Sequence, residues 1–169
     1  MEVANVKSTA LSSVDKLYPR TPMPTFLGKS AVYASVGKAL VSSEDAIGSV
    51  YRLVRVPSQA RLTRLQLVAD EIIGFSSASL GLYNPQNDTG GDGAVVSADL
   101  FLKGLDFSEQ MKGPLDVLFH GIGISGIEKR VWELLGLKVD PQISYDLCVT
   151  SYNTPSESGE IAVSVEFVI

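Results

Sequence analysis

The chain has 169 residues, 45% of them hydrophobic and 20% charged, which is typical of one soluble globular domain with a sizeable core. No apolar stretch reaches the roughly 18 residues that cross a bilayer, and the first 20 residues lack the apolar segment of a secretory signal. The single cysteine and single histidine exclude an intrachain disulfide and a multi-histidine metal site, and the net charge of −5 argues against nucleic acid as the main partner.

The charge is unevenly distributed along the chain. Residues 1–64 carry nine Lys or Arg and four acidic residues, whereas residues 65–169 carry five basic and fifteen acidic residues. A basic front and an acidic body are consistent with an extended arm that docks on an acidic surface. Solvated faces without a specific role remain the alternative.

Residues 1–31 show no sustained periodicity, and three prolines at positions 19, 22 and 24 oppose both helix formation and sheet pairing. We therefore predict an extended N-terminal arm over 1–31 that becomes ordered against a partner, with a frayed terminus as the alternative. The residues predicted to contact that partner are Lys7, Lys16, Arg20, Phe26 and Lys29.

From residue 31 onward, apolar and polar residues alternate with the period of two that indicates strands. The predicted strands are 31–41, 49–56, 60–68, 77–84, 94–102, 115–120, 143–152 and 160–169. In the third strand, Thr63, Leu65 and Leu67 are predicted to share one face. The last strand has the clearest alternation, with Ile161 and Val163 beginning its apolar face.

One short helix, predicted over Gly126–Leu135, interrupts the strands, with an apolar stripe on one side and Gly136 at its end. Alternating strands with one wet face belong to antiparallel sheets. The fold prediction is therefore all-β: a two-sheet antiparallel sandwich over residues 32–169, jelly-roll-like, with about eight strands and one short helix.

The stretch HGIGISGIEKRVWELLG resembles a dinucleotide loop, because Gly121, Gly123 and Gly126 fit G-x-G-x-x-G and Asp146 follows twenty residues later. Three features argue against that interpretation. Asp146 sits in the middle of a predicted strand, the helix is short, and the 23 residues after Asp146 are too few for further β-α units. We predict instead that the glycines form a turn and fit a small helix at one end of the sandwich.

Other residues with reactive side chains do not form a catalytic set. His120 is predicted to be a surface residue and Cys148 a small packing residue. The polar loop 84–93 lacks the ligand spacing of a calcium loop, so we expect no cofactor or metal and no enzymatic activity. Four arginines are predicted to form a salt-bridged outer face or a docking patch: Arg52, Arg55, Arg61 and Arg64.

Several stretches together resemble small structural proteins of tailed bacteriophages and prophages that belong to the virion or capsid. The stretches are GSVYRLVRVPSQARLTRLQLVAD, SASLGLYN, GAVVSADLF, GIEKRVWELLGL and YDLCVTSYN, within residues 48–169. Some capsid decoration, or cement, proteins of this kind have jelly-roll folds and bind shells as oligomers. The resemblance implies a protein of the capsid surface, made in the host cytoplasm.

The leading hypothesis is a virion protein that decorates and stabilises an icosahedral capsid by binding the major capsid protein, as a dimer or trimer, with no membrane and no nucleic acid as partner. The alternative is a ligand- or carbohydrate-binding sandwich, such as a tail or receptor-binding component, with Tyr83, Asn84 and Asp88 as its site. An enzyme that uses the Gly121–Gly126 loop comes third.

Overall fold

The computed structural model describes residues 31–87, 91–111 and 113–169. The predicted arm, apart from Ala31, lies outside the described residues, together with its five candidate contact residues. No helix in the described part of the chain is long and apolar enough to cross a membrane.

The described residues form ten strands, arranged as two four-stranded antiparallel sheets and one small hairpin. The strands are β1 (Val32–Val41), β2 (Val50–Pro57), β3 (Arg61–Ala69), β4 (Ala78–Tyr83), β5 (Gln86–Asn87), β6 (Gly91–Asp92), β7 (Val95–Leu105), β8 (Leu115–Asp116), β9 (Ser144–Ser151) and β10 (Gly159–Val168).

The first sheet has the order β1-β10-β3-β8 and the second the order β2-β9-β4-β7, while β5 and β6 pair with each other in the loop between β4 and β7. Successive long strands mostly alternate between the two sheets, and the last two strands occupy interior positions. This is the strand order of an eight-stranded jelly roll. The predicted all-β, jelly-roll-like sandwich is confirmed.

The core lies between the two sheets and follows from the alternation in the sequence. On β10, Ile161, Val163 and Val165 are fully buried, and they face Leu80 and Leu147 of the opposite sheet's interior strands. Each fully buried aliphatic side chain stabilises the fold by about 2 kcal/mol. The sandwich is therefore held mainly by aliphatic packing from the central strands.

A bulge in β3 changes which residues face the core. Phe167 pairs with Leu62 and Glu166 pairs with Arg64, so Thr63 is an extra residue without a partner on β10. Because the bulge shifts the alternation by one residue, Leu62 and Leu65 are buried and Thr63 is exposed. The prediction that Thr63 shares a face with Leu65 and Leu67 is wrong for this reason.

The predicted strand 115–120 is much shorter in the structure. After β8, the chain forms a π-helical turn over Leu118–Ile122 and one α-helical turn, α1, over Gly123–Gly126. Phe119, which the alternation places in the core, is 59% exposed.

A short helix at the predicted place is confirmed, with narrower bounds: α2 spans Val131–Leu134. Arg130, just before it, has an extended backbone, and its N–H donates to the Glu133 carboxylate at 2.7 Å. The first amides of α2 donate to the carbonyls of Ala60 and Ser58, at 2.9 and 3.0 Å. These bonds to the β2–β3 loop fix where the helix begins.

Strands β4 and β9 are buried on both faces, although the alternation in 143–152 predicts one wet face. Beside β4, Leu80 pairs with Leu102 but Leu82 pairs with Ser97, so residues 98–101 of β7 lie opposite Gly81, and the backbone of Ser97 and Ala98 approaches Gly81 closely. A β-carbon on Gly81 would lie 2.0 Å from the Ser97 carbonyl oxygen. Only glycine permits this close approach.

Gly81→Ala should therefore destabilise the protein, because the new methyl overlaps backbone atoms that cannot rotate away. We expect the free energy of unfolding in urea to fall by about 2 kcal/mol or more. Ser164→Thr adds one methyl on the half-buried outer face of β10 and should change it by less than about 0.5 kcal/mol. Equal effects of the two variants would contradict the close approach at Gly81.

Candidate functional site

The glycines of the nucleotide-like stretch serve close packing. A β-carbon on Gly121 would lie 1.4 Å from the Phe101 carbonyl oxygen, and one on Gly126 would lie 2.0 Å from the Ile122 side chain. Gly123 has a φ of 65°, in the left-handed region that favours glycine. Asp146, the acidic residue of the apparent fingerprint, lies on β9 and is bound to arginines, as described below.

The two residues with the most reactive side chains are far from a catalytic arrangement. His120 is exposed, and its Nδ1 lies 2.6 Å from the backbone oxygen of Asp116. Cys148 is fully buried, and burial raises the pKa of its thiol to about 12. No group of three or more His, Cys, Asp or Glu side chains suited to a metal ion occurs among the described residues.

The most constrained polar group is the Asp146 carboxylate, which is 5% exposed on the outer face of β9. Its Oδ2 accepts from Arg52 Nη1 at 3.0 Å, and its Oδ1 accepts from Arg55 Nε at 2.7 Å. A second bond from Arg55 Nη2 measures 3.3 Å. Charge-assisted bonds to two guanidinium groups offset the cost of burying the carboxylate.

A bulge brings both arginines to this one carboxylate. Residues three apart on a regular strand point to opposite faces. Arg52 pairs with Cys148 and Val54 pairs with Leu147, so Leu53 is an extra residue and Arg55 returns to the same face as Arg52. The hydrogen bond of Arg55 to Asp146 raises the pKa of its guanidinium further.

Arg52 also connects the sheet to the loop between β4 and β7. Its Nη1 donates to the Asn84 carbonyl at 2.9 Å, and its Nη2 donates to the Gly93 carbonyl at 2.7 Å. The guanidinium lies 5.6 Å from the ring centroid of Tyr83. One side chain therefore holds both ends of the loop that contains β5 and β6.

The predicted ligand site at Tyr83, Asn84 and Asp88 is not assembled as an open aromatic surface. Tyr83 is 6% exposed, and its hydroxyl lies 2.6 Å from Thr150 Oγ1. The Asn84 carbonyl is used by Arg52, and Asp88 lies outside the described residues. A sugar ring has no exposed tyrosine face to stack on here.

The four arginines do not form one patch. Arg52 and Arg55 belong to the second sheet, whereas Arg61 and Arg64 lie on β3 in the first sheet. Arg64 Nη1 lies 3.4 Å from Glu166 Oε1. Salt bridges on the outer faces, as predicted, are formed by Arg52, Arg55 and Arg64, and the four arginines are divided between two sheets and do not form one continuous patch.

One end of the sandwich carries seven acidic residues, and we call it the acidic end: loops 42–49, 70–77, 106–111 and 152–158. Backbone hydrogen bonds of 2.7 Å join these loops, from Ile72 to Phe107 and from Ser156 to Ile73. Their described residues include no Lys or Arg. The carboxylates are those of Glu44, Asp45, Asp70, Glu71, Asp106, Glu109 and Glu157.

The opposite end, which we call the arm end, contains the start of β1, the end of β10, loop 58–60 and the segment that leads into β9. Residues 1–30 join the sandwich here, because β1 begins at Val32 opposite Val168. Val32 is 61% exposed and Val139 is 77% exposed. The arm end therefore presents exposed apolar side chains together with charges of both signs, such as Lys138 and Asp140, whereas the acidic end carries carboxylates and no Lys or Arg among its described residues.

Comparison with solved structures shows that the sandwich is similar in fold to chains of phage capsids. A chain of the cyanophage Pam1 capsid asymmetric unit matches with a TM-score of 0.53 and 12% identity, over 83% of this chain and 86% of that one. A chain of the capsid of Ralstonia phage GP4 matches with a TM-score of 0.56 and 13% identity, over 82% and 84%. No protein-family model and no curated protein matches the sequence.

At these identities the likeness establishes the fold, an eight-stranded sandwich shared over four-fifths of the chain. Both neighbours come from phage capsids, in agreement with the resemblance to small phage structural proteins.

Asp146→Asn should lower the free energy of unfolding by about 2 kcal/mol, because two guanidinium groups lose their counter-charge and both are partly solvated.

Arg52→Met and Arg55→Met separate the binding of Asp146, which both arginines share, from the binding of the loop carbonyls. Only Arg52→Met should speed amide exchange at Asn84 and Gly93, because only Arg52 binds the loop carbonyls. Equal exchange in the two arginine variants would contradict this assignment.

Cys148 should not react with a water-soluble thiol reagent at pH 8 while the protein is folded. Burial raises the pKa of the Cys148 thiol, so nearly all of the folded population carries the unreactive thiol. The sulfur is also fully buried, so the reagent cannot reach it. In urea the same cysteine should react fully. Rapid labelling of the native protein would show that β9 is accessible from outside.

Proposed function

We propose that this chain is a structural protein of a bacteriophage virion that decorates and stabilises the icosahedral capsid by binding the major capsid protein. The observation that carries the proposal is the jelly-roll sandwich, whose fold matches chains of two phage capsids over more than 80% of this sequence. The resemblance of residues 48–169 to small phage structural proteins supports the same role.

The distribution of charge supports one orientation on the shell. The arm end faces the capsid, and the acidic end, with its seven described carboxylates, faces solvent. The basic arm, through Lys7, Lys16, Arg20, Phe26 and Lys29, clamps neighbouring shell subunits. Several weak contacts then add through effective concentration.

In this proposal the chain is not an enzyme, acts on the capsid surface as a homo-oligomer, and is made in the host cytoplasm. Nucleic acid is not its partner. Arg52 and Arg55, which could otherwise bind phosphate, are engaged with Asp146, and the net charge is −5. Buried side chains such as Tyr83 make a carbohydrate site the weaker alternative.

Deletion of residues 2–31 tests the clamp directly. Particles stripped of this protein by salt are incubated with purified full chain or truncated chain, and bound protein is measured after sedimentation. We expect the truncated chain to keep its urea midpoint but to bind at least about tenfold more weakly, because the arm contacts are lost.

A double variant at the acidic end, Glu71→Gln with Glu109→Gln, is the matched control and should bind like the unmodified chain. Equal binding of full and truncated chains would remove the arm from the proposal. Failure of the full chain to bind stripped particles at all would remove the decoration role.

A further inference from the structure

Strand β1 is an unusually exposed edge. It runs for ten residues without a register shift against β10, and no strand in the described part of the chain pairs with its other side. Its outward face bears Val32, Val36 and Leu40, which are 61%, 72% and 66% exposed. The strand therefore offers a full row of backbone donors and acceptors beside an aliphatic stripe.

Monomeric proteins normally protect such edges with prolines, bulges, short strands or free charges. β1 is ten residues long and has no proline and no bulge. Its one charged residue, Lys38, donates to both oxygens of Glu160 on the neighbouring strand, at 2.8 and 3.0 Å. The edge carries no unpaired charge that would repel another strand.

We propose that β1 pairs antiparallel with β1 of a second copy of this chain, around a two-fold axis at Val36. The sheet that contains β1 in one copy then joins the same sheet of the second copy, and the two form one continuous eight-stranded sheet. This deepens the self-association in the proposed function and does not depend on binding to a shell.

The register follows from the alternation along β1. The even-numbered residues face outward, while Val41 is fully buried and a β-carbon on Gly37 would meet the Leu53 carbonyl oxygen of the facing sheet. Residues directly opposite each other in a sheet share a face. A register that pairs even with odd positions would place the outward face of one copy against the core face of the other.

Among the remaining registers, the one centred on Val36 pairs nearly the whole strand and joins like with like. Val36 lies opposite Val36 of the second copy, and Val32 lies opposite Leu40. Lys38 lies opposite Ala34, so the two lysines are separated along the interface. A centre at Lys38 would set two ammonium groups directly opposite each other, which is destabilising.

The exposed aliphatic side chains on the outward face of β1 favour a second copy of this chain as the partner. Each copy brings the same three exposed aliphatic side chains, so the pairing buries apolar surface from both sides while the backbone groups of both edges become bonded. A two-fold contact needs the same surface patch on both copies, and the aliphatic stripe of β1 meets that requirement.

The test uses the purified full chain in sedimentation equilibrium, without shells. The expected mass is twice the 18.1 kDa of the chain. Val36→Lys and Val36→Glu each place like charges opposite one another and should raise the dimer dissociation constant at least about tenfold. Mixing the two variants should restore the dimer, which also shows that both are folded.

Val95→Lys is the matched control, since Val95 is 59% exposed on β7 of the other sheet and should leave the dimer unchanged. A monomeric full chain, a dimer that persists in Val36→Lys, or a mixture of the two charge variants that stays monomeric would each overturn the pairing. A full chain that becomes dimeric only after deletion of residues 2–31 would also overturn it, because its own N-terminal segment would then be the occupant of the edge.

Cysteine substitution checks the register. Val36→Cys should form a disulfide dimer under mild oxidation, because directly opposite residues bring their β-carbons within disulfide reach. Lys38→Cys alone should not, whereas a mixture of Ala34→Cys and Lys38→Cys should. The native Cys148 is buried and does not interfere. Efficient crosslinking of Lys38→Cys alone, with none for Val36→Cys, would overturn the proposed axis.

Discussion

The fold depends on the insertion of the last two strands into the interior of both sheets. β10 lies between β1 and β3, and β9 lies between β2 and β4, so each sheet lacks a central strand until the final quarter of the chain is in place. Val32 pairs with Val168, which joins the two extremes of the described sandwich. Because these contacts span most of the sequence, the sandwich closes through non-local pairing, which makes folding slow relative to that of helical domains.

The same insertion explains why Asp146 is buried. β9 lies between β2 and β4 in the second sheet, and on its outer face the Asp146 carboxylate is covered by Arg52 and Arg55 of β2. A carboxylate there is tolerated because Arg52 and Arg55 both donate to it. Arg52 also holds the two ends of the loop between β4 and β7 in place, because it donates to the carbonyls of Asn84 and Gly93. Packing and electrostatics act together at this one strand.

The alternation in the sequence predicted most strands because one face of each must reach the shared core. It failed where a bulge changes the phase, as at Thr63, and in the predicted strand 115–120, where a helical turn begins at Leu118 and leaves Phe119 exposed. Neither event leaves a local signal, because the partner lies far away in the sequence.

The site was less predictable than the fold. A polar residue at every second position of β9 resembles a solvated face, so burial of Asp146 was not foreseen. The arginines were noticed, but their common target was not, because residues 52 and 55 share a face only through the bulge at Leu53. The available signal was the presence of two arginines, Arg52 and Arg55, on one predicted strand and of a single aspartate, Asp146, within another. The exposure of β1 was equally hidden, since nothing in its sequence distinguishes an edge from an interior strand.

The proposed binding to a shell requires a rigid sandwich, one acidic end, exposed apolar side chains at the arm end and a basic N-terminal segment, and the chain has these features. The most direct test of the proposed virion role is quantitative mass spectrometry of phage particles purified from the organism that encodes the chain, with copies counted per major shell subunit before and after a high-salt wash. The account predicts a ratio near a simple fraction of the shell count, lowered by salt because the arm contacts are charged. A few copies per particle, or none, would contradict it.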